Sequence, residues 1–511
     1  MTQDAMVRLI LASRVYDVAR STPLEPARRL SQRTGNRVLL KREDLQPIFT
    51  YKLRGAYNRM AHLSAAERAR GVIAASAGNH AQGVAYSARH LGISALIVMP
   101  LTTPAIKVEA VRELGADVEL AGDSYTDAAA RASTVEAESG RVLIHAFDDA
   151  LVIAGQGTVG AEILGHCNAD DCAIFVPVGG GGLIAGIASY VKAVKPGIKV
   201  IGVEPFEADA MYRSLEAGHR VALERVGIFA DGVAVREVGA LTFPIVQTLV
   251  DEIVRVTNDE ICAAIKDVFD DTRSLMEPAG ALAVAGLRTW VARTGATNQQ
   301  LIAVLSGANM NFDRLRFVAE RAELGESREA LFGVTIPEKA GAFRAFCALL
   351  GRRVVTEFNY RLSGRNHAHI FVGIATESRQ HRDQVAAMLR AAGYPAVDLT
   401  GDEVAKLHIR YMVGGRSSSA QDERLYRFEF PERPGALMDF LDRLGGRWNI
   451  SLFHYRNHGA DFGRVLAGFE VPSRDNDAFD AFVTTLGYSF QREEGNPAYE
   501  LFLGGDEAPS H

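Results

Sequence analysis

Ala173-Ile174-Phe175-Val176-Pro177-Val178-Gly179-Gly180-Gly181-Gly182-Leu183-Ile184-Ala185-Gly186 passes from an apolar run into four consecutive glycines and then into an amphipathic stretch. The apolar residues around Pro177 read as the end of a buried strand, and the stretch after the glycines reads as a helix closed by Pro196-Gly197. A strand, a bare turn and a helix N-terminus together make an anion site. Glycine lets backbone N–H groups approach a ligand without a Cβ in the way, and the helix end adds unpaired donors and partial positive charge. A flexible linker has a similar composition, but a linker has no reason to be wedged between a strand and a helix. The run has neither the G-x-G-x-x-G spacing nor the Gly-Lys-Ser/Thr ending of the common nucleotide loops. The anion it suits is a phosphate of some other kind.

At 511 residues the chain exceeds one core and implies about three domains. A 48% hydrophobic content is that of an ordinary globular protein. The net charge of −6, without a basic stripe, argues against nucleic acid and anionic membrane as partners. No apolar run reaches the ~18 residues of a spanning helix, and Asp4, Arg8, Arg14 and Asp17 interrupt the N-terminus as no signal peptide would allow. Cys167, Cys172, Cys262 and Cys347 match neither a zinc motif nor a disulfide framework, so they read as buried thiols in a reducing cytoplasm.

Up to about residue 320, short apolar runs alternate with helical patterns, the mark of an α/β fold with parallel sheets. The runs include 71–75, 95–99, 117–120, 173–178, 199–203 and 301–305. A charged helical stretch at about 311–329 then bridges to an internal duplication. Leu331-Phe332-Gly333-Val334-Thr335-Ile336-Pro337-Glu338-Lys339-Ala340-Gly341-Ala342-Phe343 realigns with Leu425-Tyr426-Arg427-Phe428-Glu429-Phe430-Pro431-Glu432-Arg433-Pro434-Gly435-Ala436-Leu437, 94 residues on. Each copy reads as a βαββ-type α+β unit, at 331–415 and 425–505. The copies suit a ligand sensor or an oligomerisation module equally well.

Three further segments of the first 320 residues can carry chemistry. In Thr50-Tyr51-Lys52-Leu53-Arg54-Gly55-Ala56-Tyr57, Thr50 suits a helix N-cap and puts Lys52 in the first turn. The positive helix end lowers the pKa of an amine there, as a covalent-catalysis lysine or a general base requires; a solvated surface lysine is the simpler alternative. Ser76-Ala77-Gly78-Asn79-His80 follows a strand and opens a helix, a second anion-binding terminus sized for a carboxylate, or merely a helix cap. Ser306, after 301–305, falls at the strand end where open α/β sheets place ligands.

Together these segments resemble the pyridoxal-phosphate enzymes of the tryptophan-synthase-β fold (fold type II). Tyr51 to Asn58, Ser76 to Gly83, the tetraglycine with Leu183, and Ser306-Gly307-Ala308-Asn309 look like the biosynthetic threonine dehydratase branch. The duplicated part is similar to that branch's tandem ACT-like regulatory domain. The resemblance implies a two-domain catalytic body at 1–320, with a small subdomain at about 43–148 inserted, and a linker at 321–330. It implies that Lys52 holds the cofactor aldehyde and then acts as base at Cα. Gly179, Gly180, Gly181, Gly182 and Leu183 would cradle the phosphate, Asn79 would bond the ring hydroxyl, and Ser306 would face the ring nitrogen. Ser76, Ala77, Gly78, Asn79 and His80 would hold the substrate carboxylate. A serine opposite the ring nitrogen cannot supply the charge an aspartate would, which suits prompt β-elimination.

The implied reaction converts L-threonine, and L-serine beside it, with release of ammonia; threonine gives 2-oxobutanoate, the first step of isoleucine biosynthesis. Isoleucine and valine are the implied effectors, and a cytoplasmic homotetramer the implied assembly. The chain departs from the pattern in two places. Tyr51 stands where phenylalanine is common, and Ala210 stands where the Asp of a Glu-x-x-x-Ala-x-Asp cation site begun by Glu204 and Ala208 should be, so no metal is expected. A degradative serine/threonine dehydratase or a serine racemase is the alternative, but those usually lack two tandem ACT-like units. A regulator with a dead enzyme domain is the more distant one, and Lys52, Asn79 and the glycine loop argue against it.

Overall fold

The structure is a computed structural model describing residues 2–493, except 168–171, 340, 352, 363–365, 403–404, 407–408, 412–416, 418–419, 432–437, 439, 443–447 and 457–461. It divides into two compact units, Met1–Gly325 and Glu326–His511. In the first unit the strands are β1 (Leu24–Pro26), β2 (Arg37–Arg42), β3 (Val72–Ala75), β4 (Ala95–Met99), β5 (Asp117–Leu120), β6 (Val142–Leu143), β7 (Cys172–Pro177), β8 (Lys199–Pro205), β9 (Glu252–Val256) and β10 (Gln300–Leu305). A six-stranded sheet runs β1-β2-β10-β7-β8-β9 and a four-stranded one β5-β4-β3-β6. All neighbours are parallel except β1 on β2.

The larger sheet is buried on both faces, so its strands read as continuous apolar runs and alternate residues feed two cores. Phe175, Ile201, Val203, Leu301 and Leu305 face one core with the helices Asn258–Thr272 and Pro278–Thr294. Ile174, Val176, Val200, Ile302 and Val304 face the other, with Ala150–His166 and Gly182–Val194. In the smaller sheet Val72 and Ala74 pack with Lys52–Ala61 and Asn79–Leu91, while Ile73 and Val98 pack with Tyr125–Ser139. The helix bearing Lys52 lies very close to Ala150–His166: a Cβ on Gly155 would come within 2.7 Å of the Arg54 carbonyl oxygen. A buried charge cluster fixes its first turn. Arg54 bonds Glu43 through Nε (2.7 Å) and Nη2 (2.8 Å), and Glu162 through Nη1 (2.6 Å); Lys41 also pairs with Glu162. With two cations and two carboxylates out of water, the cluster holds only because each charge has a partner.

The second unit contains β11 (Glu329–Pro337), β12 (Val355–Arg361), β13 (His367–Ala375), β14 (Ala396–Asp398), β15 (Glu423–Pro431), β16 (Asn449–Arg456), β17 (Phe462–Glu470) and β18 (Phe490–Arg492). They form one antiparallel sheet, β14-β11-β13-β12-β16-β17-β15-β18, in which β12 and β16 join the two copies edge to edge. The duplication extends to irregularities: a register shift at Val355/Glu357 recurs at Ile450/Leu452. Each copy is longer than the expected βαββ. The helix Arg379–Ala391 and β14 complete the first, and Asn476–Thr485 and β18 the second. The expected linker also ends sooner, since its helix is Leu315–Gly325 and β11 begins at Glu329. Of the expected copies, residues 432–437 with the second Pro-Glu-Arg-Pro-Gly-Ala turn, 412–415 and 494–505 lie outside the described residues.

Candidate active site

The carboxyl ends of β3, β7 and β10 carry three of the expected segments, at the place where parallel sheets bind ligands. Lys52 is the first residue of its helix, and the preceding segment is stitched to the end of β10. Tyr51 N and Thr50 Oγ1 both donate to the Ser306 carbonyl (3.2 Å each), and Ala308 N donates to the Phe49 carbonyl (2.9 Å). Phe49 takes φ +58°, a left-handed conformation that costs a bulky residue energy and that this stitching enforces. The Lys52 Nζ lies 3.5 Å from the Gly232 carbonyl oxygen. Burial holds its amine below the ordinary lysine range, against the opposing pull of Glu277 and Asp231.

Gly232 is the middle of the turn Asp231–Val233, and the next residue of that turn meets the glycine loop: a Cβ on Gly179 would come within 2.9 Å of Val233 Cα. A Cβ on Gly180 would strike the Phe147 ring at 2.3 Å, and one on Gly182 would meet Phe147 at 3.0 Å. Gly181 caps the helix Gly182–Val194 with φ +94°. The N–H groups of Gly182, Leu183 and Ile184 have no carbonyl of their own helix to bond, which leaves donors for an anion.

Asn79 begins its helix and is nearly buried. Its Nδ2 donates to Glu277 Oε1 (2.5 Å), and its Oδ1 accepts from Asn309 Nδ2 (2.7 Å). Ser76, Ala77 and Gly78 stay partly open, and nothing lies within 4 Å of a Cβ position on Gly78. His80 is different. Its Nε2 contacts the Ile144 carbonyl (2.8 Å), and burial pushes its pKa down to about 3, so the ring is a neutral anchor of the small sheet. Any contact of His80 with a substrate carboxylate runs through its backbone. Ser306 is buried and its Oγ donates to the Ala279 carbonyl (3.2 Å).

Sequence reasoning gave no role to two groups that the structure brings in. Glu277, the N-cap of Pro278–Thr294, is 4% exposed, and burial raises its carboxyl to about 7. Asp231, on the turn against Lys52, pairs with Lys107 (2.7 Å) and lies 3.6 Å from Arg314. An Asp-Gly pair marks a turn in sequence, but nothing there says which helix the turn will face. At the expected non-metal position, both Glu204 oxygens accept backbone N–H bonds, from Met211 (2.9 Å) and Tyr212 (2.8 Å). Asp209 pairs with Arg213 and Arg255 there, and among the described residues no cluster of acidic, His or Cys side chains suits a metal ion.

The donor set fits pyridoxal phosphate. Lys52 offers an amine of lowered basicity, the helix after the tetraglycine offers unbonded N–H groups, and Asn79 and Ser306 offer side chains held in fixed orientation.

Comparison with known proteins follows the same division. The family described as pyridoxal-phosphate dependent enzyme matches residues 15–307. The family described as C-terminal regulatory domain of threonine dehydratase matches twice, at 320–409 and 414–503. The L-threonine dehydratase biosynthetic IlvA of Burkholderia multivorans is 58% identical over 98% of this chain and 100% of its own length. Its namesake from Escherichia coli is 51% identical over 98% of this chain and 97% of its own. Among solved structures, the processed form of threonine deaminase isoform 2 from Solanum lycopersicum superimposes with a TM-score of 0.62 at 50% identity, over 63% of this chain and 93% of that one.

Proposed function

The chain belongs to the pyridoxal-phosphate-dependent threonine dehydratases with a duplicated C-terminal regulatory domain, and from that premise we propose how its residues deaminate L-threonine to 2-oxobutanoate, with L-serine as a second substrate. The observation that carries the reading is the turn Asp231–Val233, against which the Lys52 amine lies on one side and Gly179 of the glycine loop on the other. Bound pyridoxal phosphate supplies the electron sink that makes the substrate Cα–H bond breakable. Lys52, with an amine already below the usual lysine basicity, takes that proton. Backbone N–H groups of Gly179 to Gly182 and Leu183 bind the phosphate. Those of Ser76 to His80 bind the substrate carboxylate at the start of the helix Asn79–Leu91. Asn79 orients the ring hydroxyl. Ser306, neutral, would meet the ring nitrogen without fixing a charge there, which favours immediate loss of the β-hydroxyl. With the proton taken from Cα this amounts to loss of one water, and water then hydrolyses the released enamine to 2-oxobutanoate and ammonia.

In this reading the unit Met1–Gly325 does the chemistry, with about 43–148 as the small subdomain, residues 326–328 link, and the two copies whose first strands begin at Glu329 and Glu423 sense an end product. The chain works in the cytoplasm as a homotetramer; its four buried cysteines suit a reducing compartment. Among the described residues no helix is long and apolar enough to cross a membrane. Isoleucine inhibits and valine opposes it. A pocket in the second unit suits such ligands: Ile336, Phe343, Leu441 and Ile450 line it with Glu338 and Tyr360. The Tyr360 hydroxyl donates to Glu338 Oε1 (2.8 Å), and Glu338 Oε2 is buried without a hydrogen-bond partner. An aliphatic amino acid brings an ammonium for that oxygen and a side chain for the apolar wall. The test is 2-oxobutanoate formation from threonine by the full chain, with and without isoleucine. Activity that isoleucine suppresses supports the reading; no 2-oxobutanoate overturns it.

A further inference from the structure

Glu277 is the buried acid of the site that the reaction above does not use. It is held from several sides. Asn79 Nδ2 donates to its Oε1 (2.5 Å), its own backbone N–H donates to the Gly307 carbonyl (3.3 Å), and the two neighbouring glycines leave room for the carboxyl. A Cβ on Gly307 would come within 2.7 Å of Oε1, and one on Gly232 within 3.5 Å. The chain Asn309–Asn79–Glu277 leaves the Asn79 amide one orientation. Its oxygen is taken by Asn309 (2.7 Å), one Nδ2 proton by Glu277, and the second Nδ2 proton is left to offer.

We propose that Glu277 is a positioning residue that acts through Asn79: it turns the Asn79 amide so that an N–H faces the cofactor's ring hydroxyl, and its ionisation sets whether the Lys52 nitrogen carries a proton. This rests on the cofactor reading given above. Ionised Glu277 puts a negative charge beside Lys52 and favours the protonated nitrogen; neutral Glu277 withdraws that support. The charged and titratable groups facing it are Lys52 on its helix, Asp231 on the turn, Lys107 on the helix Ala105–Glu113, and the Tyr51 hydroxyl. Burial dominates and Asp231 adds to it, while Asn79, Lys52 and Lys107 oppose. The balance leaves the carboxyl at about 7, where small changes in the site shift its charge.

The test uses the full-length protein loaded with pyridoxal phosphate and reads two quantities, cofactor bound per chain and the absorption band of the bound cofactor across pH. In the native protein the band is expected to change through a transition that follows the Glu277 carboxyl, near pH 7. Glu277→Gln, which keeps the shape and can still accept from Asn79, is expected to retain cofactor and lose that transition. Glu277→Asp restores a transition at a displaced pH. A transition unchanged in Glu277→Gln overturns the proposal and leaves Glu277 a packing residue. If Glu277→Gln does not fold, Glu277→Asp decides, and an unmoved transition in it overturns the proposal equally. Native protein that binds no pyridoxal phosphate overturns the cofactor reading and this inference with it, whereas native protein that binds the cofactor but shows no transition overturns this inference alone.

Discussion

Lys52 and Glu277 show how far burial can be read as chemistry. The amine is pushed down and the carboxyl up by the same desolvation, so the two approach each other's range as neither would in water. Lys52→Ala removes the amine that this site aims at Gly232. It is expected to abolish 2-oxobutanoate formation and the visible absorbance of bound cofactor, while circular dichroism stays native because the side chain belongs to none of the apolar cores around its helix. Substantial activity with a native spectrum would sink the assignment. Glu277 also makes stability depend on pH. Its folded-state pKa of about 7 lies above the ordinary 4.5, so the folded state holds a proton that the unfolded state has already released. That contribution is fully present below pH 4.5 and is lost as pH rises through 7. Denaturant midpoints of the native protein should therefore fall between pH 5 and 7.5 relative to those of Glu277→Gln. The difference is at most roughly 3 kcal/mol, at about 1.4 kcal/mol for each pKa unit. Parallel midpoints across that range would show that Glu277 is not titrating there.

At the scale of elements, the glycine loop is where sequence and structure agree most closely and also where the sequence stops short. Four glycines after an apolar run gave the strand, the turn and the helix start, and β7 and Gly182–Val194 occupy those places. The identity of the neighbours was not legible, because Phe147, Val233 and Thr242 reach the loop from distant parts of the chain. Gly181→Asp tests both aspects. The residue has φ +94°, and a Cβ there would meet Met211 Cε at 2.7 Å and Thr242 Oγ1 at 2.8 Å. A carboxylate would also repel a phosphate. The variant is expected to lose most of its bound pyridoxal phosphate while the unit stays folded, and unchanged cofactor content would reduce the loop to a connector. His80 shows what the motif leaves open: it puts the residue at the terminus expected to take the carboxylate, but its ring turns to the Ile144 carbonyl, a partner that no local pattern announces. The helix Arg379–Ala391 was missed although a signal existed. Ser378 caps it by accepting from His381 N, and Val385, Ala386 and Leu389 make one buried stripe in an otherwise charged segment.

The whole molecule joins an α/β catalytic unit to an antiparallel sheet made of two copies of one pattern, and the duplication was legible because it repeats a turn motif at constant spacing. How an end product at one unit changes chemistry at the other is a question of free energy before it is one of route. Isoleucine can inhibit only by binding a low-activity state more tightly than the active one, and the coupling is reciprocal: whatever holds the active state must weaken isoleucine by the same factor. Cutting the chain after Gly325, where the first unit ends, removes one partner of that coupling and leaves the cores of the first unit whole. The solved processed threonine deaminase from Solanum lycopersicum matches over 63% of this chain and 93% of its own, so that relative stands at about the length of the first unit. Residues 1–325 are therefore expected to deaminate threonine at a rate that isoleucine does not alter. The full chain should be inhibited by isoleucine, with valine opposing, and Glu338→Gln should weaken the inhibition because the amide no longer offers the charged oxygen that the proposal assigns to the ammonium. Measuring 2-oxobutanoate formation against isoleucine concentration separates the outcomes: equal inhibition of both proteins would place the effector at the Lys52 site and leave the eight-stranded sheet an assembly module.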